Sequence, residues 1–263
     1  MNLHLDGKIA LVTGASQGLG YAVALALSRE GARVALNSRS LEKLQKAAQT
    51  IQAETGNEVK PFAMDVIDPQ AADTLIDQVV NSFGGLDLLV TNAGGPPAGS
   101  FETFSDDDWH HAVELCFLSQ VRLIRSALPH LRNSKSASVL TVTSMSVKQP
   151  VPNLILSNSV RMATIGLTKS LALELGSQGI RFNSILPGWT ETDRVVTLMK
   201  HRAQASGLSI EEETRRQSKD SPLGRMATPE EFANSAVFLL SPAASYLTGV
   251  MLSIDGGMYK GTF

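Results

Sequence analysis

Directly behind the apolar run 8–13 stands Gly14-Ala15-Ser16-Gln17-Gly18-Leu19-Gly20, whose three glycines let a backbone approach a pyrophosphate closely. The Ala/Leu-rich stretch 21–30 reads as a helix, and its unpaired N–H groups and positive dipole end would face the same anion. Tight strand–helix turns also use glycine for steric reasons. The strand before and the helix after make a nucleotide site the stronger reading. Other reactive side chains are sparse. The single cysteine, Cys116, excludes an internal disulfide and argues against a Cys/His metal cluster, so no metal is expected. Cys116 reads as a small buried hydrophobe rather than a nucleophile. His110 and His111 follow Trp109 in a helical stretch and are expected to face solvent or a subunit contact.

The elements that must carry this turn alternate along the chain. Strand-like runs fall at 8–13, 33–37, 59–64, 86–91, 138–143, 180–186 and 250–254. Helix-like runs fall at 21–30, 41–54, 69–83, 105–131 and 154–175, the fourth opened by Ser105-Asp106-Asp107-Asp108. Such alternation implies right-handed crossovers and a Rossmann-type, doubly wound parallel sheet of about seven strands with helices on both faces. With no repeat, linker or low-complexity tract, residues 1–263 are expected to form one domain.

Composition narrows the partners. A chain of 263 residues, 43% hydrophobic, is long enough for a large core. A net charge of −2 offers no field to draw in nucleic acid or an anionic membrane surface. No window approaches the ~18 apolar residues of a membrane span. A small-molecule substrate and a reducing cytoplasm are the expectations. Residues 190–221 differ from the rest, being polar and charged through Lys200-His201-Arg202 and Glu211-Glu212-Glu213. They read either as a solvated helical insertion or as a substrate lid, because they follow a strand end where open α/β sheets bind ligands.

The chain resembles the short-chain dehydrogenases/reductases over nearly its whole length, most of all the β-ketoacyl carrier-protein reductase-like members. The resemblance rests on Thr13 to Gly20 and Asn92-Ala93-Gly94, then on Ile165-Gly166-Leu167-Thr168-Lys169-Ser170-Leu171-Ala172. It continues through Arg181-Phe182-Asn183-Ser184-Ile185-Leu186-Pro187-Gly188, Tyr246-Leu247-Thr248-Gly249 and Asp255-Gly256-Gly257. It implies an oxidoreductase acting on a carbonyl or alcohol, with 3-oxoacyl compounds among the candidate substrates, and assembled as a homotetramer or homodimer. The implied cofactor residues are Gly14, Ser16, Gln17, Gly18, Leu19 and Gly20 at the turn. Asp65 and Val66 would flank the adenine, and Asn92, Ala93 and Gly94 the adenosine ribose. Pro187, Gly188, Thr190 and Thr192 would line the nicotinamide end. Ser38 stands where relatives that use NAD carry an acid for the ribose 2′-hydroxyl, and Arg39 beside it would attract a 2′-phosphate. NADP(H) is the expected cofactor.

At the catalytic positions the chain leaves the pattern. The family carries an Asn, a Ser, and a Tyr followed four residues later by Lys. Ser144 matches the Ser, but Ser157 stands at the Tyr, Arg161 at the Lys and Cys116 at the Asn. Tyr21, Tyr246 and Tyr259 are the chain's three tyrosines, and none repairs the loss. Arg161 offers a fixed cation for cofactor oxygens but is effectively never deprotonated. Lys148, on the loop after Ser144, is one replacement acid to consider, with an exposed loop lysine the plainer reading. Two function classes follow. One is an NADP(H)-dependent oxidoreductase with rerouted proton transfer, acting on a carbonyl, alcohol or activated alkene at a site that holds Ser144, Ser157 and Arg161. The other is a degenerate cofactor-binding protein serving as a sensor or partner subunit.

Overall fold

The computed structural model describes residues 1–262. Its strands are β1 (Ile9–Val12), β2 (Arg33–Ser38), β3 (Val59–Ala63), β4 (Leu88–Thr91), β5 (Ser138–Val142), β6 (Arg181–Pro187) and β7 (Met251–Ile254). All pair in parallel, in the order β3-β2-β1-β4-β5-β6-β7. The helices are α1 (Gly18–Arg29), α2 (Leu41–Thr55), α3 (Ala71–Phe83), α4 (Asp106–Val113), α5 (Ser119–Leu131) and α6 (Ile155–Leu175). Three more follow β6: α7 (Asp193–Ser206), α8 (Ile210–Ser218) and α9 (Pro229–Leu240).

Period-two alternation divides the strand side chains between two cores. Val12, Leu36, Val90, Leu140 and Val142 pack with Val23 and Leu27 of α1, Ile51 of α2 and Phe232 of α9. Leu11, Ala35, Leu89, Val139 and Phe182 pack on the other face with Leu75 of α3, Leu123 of α5 and Leu175 of α6. Both faces are therefore dry, which is why the strands read as unbroken apolar runs. The chain winds outward through β1, β2 and β3, then crosses back to place β4 beside β1. That reversal opens a crevice at the carboxyl ends of β1 and β4.

Three elements differ from the sequence expectation. Helix α1 begins at Gly18, not at residue 21, so the last two glycines of the turn lie inside its first turn. The stretch 105–131 is interrupted by a π turn at Glu114–Leu118, which pattern reading misses because the helical period continues through it. Helix α9 was not anticipated, although Thr228 and Glu231 form a capping box with Pro229 inside the start, a legible signature.

Candidate active site

One cleft of about 700 Å³ runs across the carboxyl ends of the strands. At its nucleotide end the backbone does most of the positioning. Gly14 takes φ +60°, and a Cβ there would lie 2.7 Å from Asn92 Nδ2. Thr13 Oγ1 donates to the Asn92 carbonyl at 2.7 Å and accepts from the Asn92 N–H at 2.9 Å, clamping β1 to β4. Asn37 Nδ2 donates to the carbonyls of Phe62 (3.0 Å) and Met64 (3.2 Å), fixing the ends of β2 and β3. Ser16, Gln17, Gly18, Leu19, Ser38, Arg39, Asp65, Val66, Asn92, Ala93 and Gly94 all line this part of the cleft. Gly20 does not line it. It packs behind the turn, where a Cβ would collide with the Gly14 carbonyl.

The reactive end is built on β5, α6 and the segment after β6. Ser144, Ser157, Arg161, Pro187, Gly188, Thr190 and Thr192 line it. The Ser144 hydroxyl accepts from the Ser146 N–H at 3.1 Å. The Ser157 hydroxyl makes no hydrogen bond within the described residues, which leaves it to the cleft. Arg161 is buried, and its Nη1 donates to the carbonyls of Val142 (3.1 Å) and Thr143 (3.3 Å). The resemblance implied a nicotinamide-end position for Thr192. It lines the cleft there, and its Cγ2 also lies 3.8 Å from where a Gly18 Cβ would stand. Cys116 sits in the π turn, fully buried, with its carbonyl taken by Gln120 Nε2 and Thr164 Oγ1.

Several lining residues escaped sequence reading. Lys43 joins Arg39 at the nucleotide end, one turn into α2. Arg194 and Trp189 line the reactive end, and His111, exposed to solvent as expected, also borders the cleft. Arg194 donates to the carbonyls of Gly95 and Pro96, each at 3.0 Å. Burial, then the nearby charge of Arg161, lowers its pKa from the ordinary arginine value. Lys148 is not a lining residue, since its Nζ lies 5.3 Å over the Tyr259 ring. None of the three tyrosines lines the cleft. Ser38 Oγ, Trp189 Nε1 and Thr190 Oγ1 are buried without a protein partner beside the cleft. Among the described residues no cluster of His, Cys, Asp or Glu could hold a metal, and no helix is long and apolar enough to cross a membrane.

A glycine turn and helix N-terminus facing a crevice at the reversal of a doubly wound sheet define a dinucleotide-binding α/β protein. The family model for Enoyl-(Acyl carrier protein) reductase matches residues 14–259. A 3-oxoacyl-[acyl-carrier-protein] reductase of Vibrio cholerae is 32% identical over 259 residues, covering 98% of this chain and 99% of the relative. L-sorbose reductase of Gluconobacter frateurii, solved with NADPH and L-sorbose, superposes with a TM-score of 0.95 at 32% identity, over 99% of this chain and 100% of that one. An NADPH-bound short chain oxidoreductase of Pseudomonas aeruginosa PAO1 containing an atypical catalytic center gives a TM-score of 0.89 at 28% identity, over 98% and 99% of the two chains. The chain belongs to the short-chain dehydrogenase/reductase family, as an oxidoreductase of the nicotinamide-dependent kind.

Proposed function

We propose that this chain is an NADP(H)-dependent oxidoreductase that interconverts a carbonyl and its alcohol without the family's tyrosine. The cofactor fits the residues present. The glycine turn offers helix N-terminal amides to a pyrophosphate. Ser38 with its unpartnered Oγ, Arg39 and Lys43 form a cationic corner for a 2′-phosphate, and β2 ends without an acid. Arg39 forms no ion pair among the described residues, so its guanidinium is available. When bound, NADP(H) supplies or accepts the hydride.

The chain's own residues handle the substrate oxygen. Ser144 and Ser157 present hydroxyls to it, and Arg161 places a fixed positive charge beside them. Preorganised donors of this kind stabilise a developing oxyanion, and removing one costs ~10²–10³ in rate. Arg161 cannot give up its proton at working pH, so the alcohol proton is drawn from water through the serine hydroxyls. Lacking a positioned acid costs ~10²–10⁴. Slow turnover is therefore expected relative to enzymes with the family pattern.

The observation that carries this reading is the single cleft joining Ser38, Arg39 and Lys43 to Ser144, Ser157 and Arg161. Its test is NADPH oxidation by the purified protein across ketones, 3-oxoacyl thioesters and enoyl compounds. The 3-oxoacyl class comes first because the Vibrio cholerae relative is a reductase of that kind. Consumption with a carbonyl class supports the enzyme. Tight NADPH binding with no consumption favours the degenerate sensor or partner subunit, which the substituted Tyr and Lys positions motivate. Exposed Met162 and Leu173 on α6 would be covered in a homodimer or homotetramer. The start of α7 supports a lid within residues 190–221, since Thr192, Asp193, Arg194, Val195 and Leu198 all line the cleft. A cytoplasmic setting suits the lone buried cysteine.

A further inference from the structure

Two arginines meet at the reactive end with no carboxylate bridging them. Arg161, 6% exposed, spends Nη1 on strand-end carbonyls and keeps Nε and Nη2 free of protein partners. Arg194 reaches from the first turn of α7 across the cleft to the Gly95 and Pro96 carbonyls. Glycine at 95 makes the room, since a Cβ there would collide with the guanidinium. Both arginines line the same end of the cleft. Among the described residues no ion pair involves either arginine. Asp193 is the carboxylate lining this end, and it pairs with neither.

Cations taken out of bulk water are ordinarily paired, and carbonyl dipoles offset only part of the cost. Arg161 is in this state, and with Arg194, more exposed but unpaired, lining the same end of the cleft, it marks a place made for an anion. The cofactor's phosphates would find their partners elsewhere, at the glycine turn and at the corner of Ser38, Arg39 and Lys43. The remaining anion is the substrate's. With Asp193 counted against Arg161 and Arg194, the formal charge at this end suits a monoanion rather than a phosphate dianion.

We infer that the substrate carries a carboxylate on, or one carbon removed from, the carbon that exchanges hydride, as in a 2- or 3-oxo acid or its hydroxy acid. This rests on the oxidoreductase reading of the same cleft. The carboxylate takes the planar fork of Arg194 in place of the loop carbonyls. Arg161 adds its charge from the floor, beside Ser144 and Ser157. A neutral ester would leave both cations without a counter-charge.

The test titrates the full-length protein, loaded with NADP⁺, with pyruvate and acetoacetate and with their methyl esters, by calorimetry. The acids should bind about tenfold or more tightly than the esters, a charge-assisted bidentate contact being the difference. Arg194→Gln should erase that preference and Arg194→Lys should keep part of it, with NADP⁺ affinity as the control for an intact fold. Raising NaCl from about 50 to about 500 mM should weaken the acids and spare the esters. Equal affinity of acid and ester, acid binding untouched by Arg194→Gln, or no saturable binding of either acid would overturn the inference. NADPH consumption is read in parallel. Acid and ester consumed alike would leave the oxidoreductase standing and remove the carboxylate site. Acid-selective binding without consumption of any probe would support the site and remove the oxidoreductase.

Discussion

The two ends of the cleft are held by different means. At the nucleotide end the shape is set by backbone: a left-handed Gly14, the Thr13–Asn92 clamp and the Asn37 tie between β2 and β3. At the reactive end it is set by long charged side chains, Arg161 under β5 and Arg194 reaching over from α7. The ends also hang on different strands, β1 to β4 for the first and β5 to β6 for the second. A chain can therefore replace its reacting side chains while its cofactor cradle stays intact. That separation accounts for a complete glycine turn standing in the same cleft as Ser157 and Arg161.

The largest expected effect tests whether the ends act independently. Ser144→Ala removes a hydroxyl that accepts from the Ser146 N–H and would otherwise touch only the substrate oxygen, so turnover should fall ~10²–10³-fold, the loss typical of one oxyanion donor. NADPH affinity, measured by calorimetry on the same variant, should not change. A matching loss of affinity would show that Ser144 serves both ends and would erase the contrast. Next in size is the cofactor preference. Arg39→Ala should weaken NADPH relative to NADH by about 1.5–3 kcal/mol, the range for a hydrogen bond to a charged group, with Lys43 retaining part of the selectivity. Equal affinities for the two cofactors in the native protein would count against the 2′-phosphate corner.

Gly20→Ala probes the cradle from behind. A Cβ at that position meets the Gly14 carbonyl and lies 2.8 Å from Asn92 Nδ2, both held by the β1–β4 clamp. Overpacking of a fixed site costs about 1–3 kcal/mol, seen as a lower denaturation midpoint. NADPH affinity should drop with it, because displacing Gly14 displaces the anion site. Native stability in the Gly20→Ala variant would mean the turn yields more readily than its hydrogen bonds suggest.

How much of this was legible in the sequence follows the same division. All seven strands were readable, because a sheet buried on both faces writes itself as apolar runs such as 138–143. The glycine turn and Asn92-Ala93-Gly94 were readable because backbone conformation there demands particular residue types in a fixed order. Lys43, Arg194 and Trp189 were not, since a long or large side chain reaches the cleft from a direction that neighbouring residues do not specify. Arg194 looks in sequence like any charge near a helix start, and only the fold brings Gly95 beneath it. His111 is exposed, as its helical spacing implied, and only its place at the cleft rim lay beyond what spacing gives. Helix α9 did carry a signal, Thr228-Pro229-Glu230-Glu231, leading into Phe232 and the apolar residues beyond.

The smallest effect separates the two ends by pH. Hydrogen bonding to Arg225, then to the Thr228 backbone, holds the Glu231 carboxyl at about 2, down from 4.5. The folded state thus favours the charged form, and its contribution is complete above 4.5 and lost as pH falls toward about 2. The pair is exposed, so the contribution is small. Its position gives it a target. Just before the cap, the Ala227 N–H donates to the Trp189 carbonyl and the Ala227 carbonyl accepts from the Glu191 N–H, each at 2.9 Å. Acid should therefore loosen the reactive-end segment around residues 189–191, while the clamp at the nucleotide end, made by the neutral side chains of Thr13 and Asn92, does not depend on this ion pair. Glu231→Gln mimics the protonated carboxyl at neutral pH and should speed amide hydrogen exchange across 187–195 with 13–20 unchanged. Native protein taken down to about pH 3 should move toward the same pattern. Equal acceleration at both ends would mean that they open as one cooperative unit, and the independence argued from their separate supports would not hold.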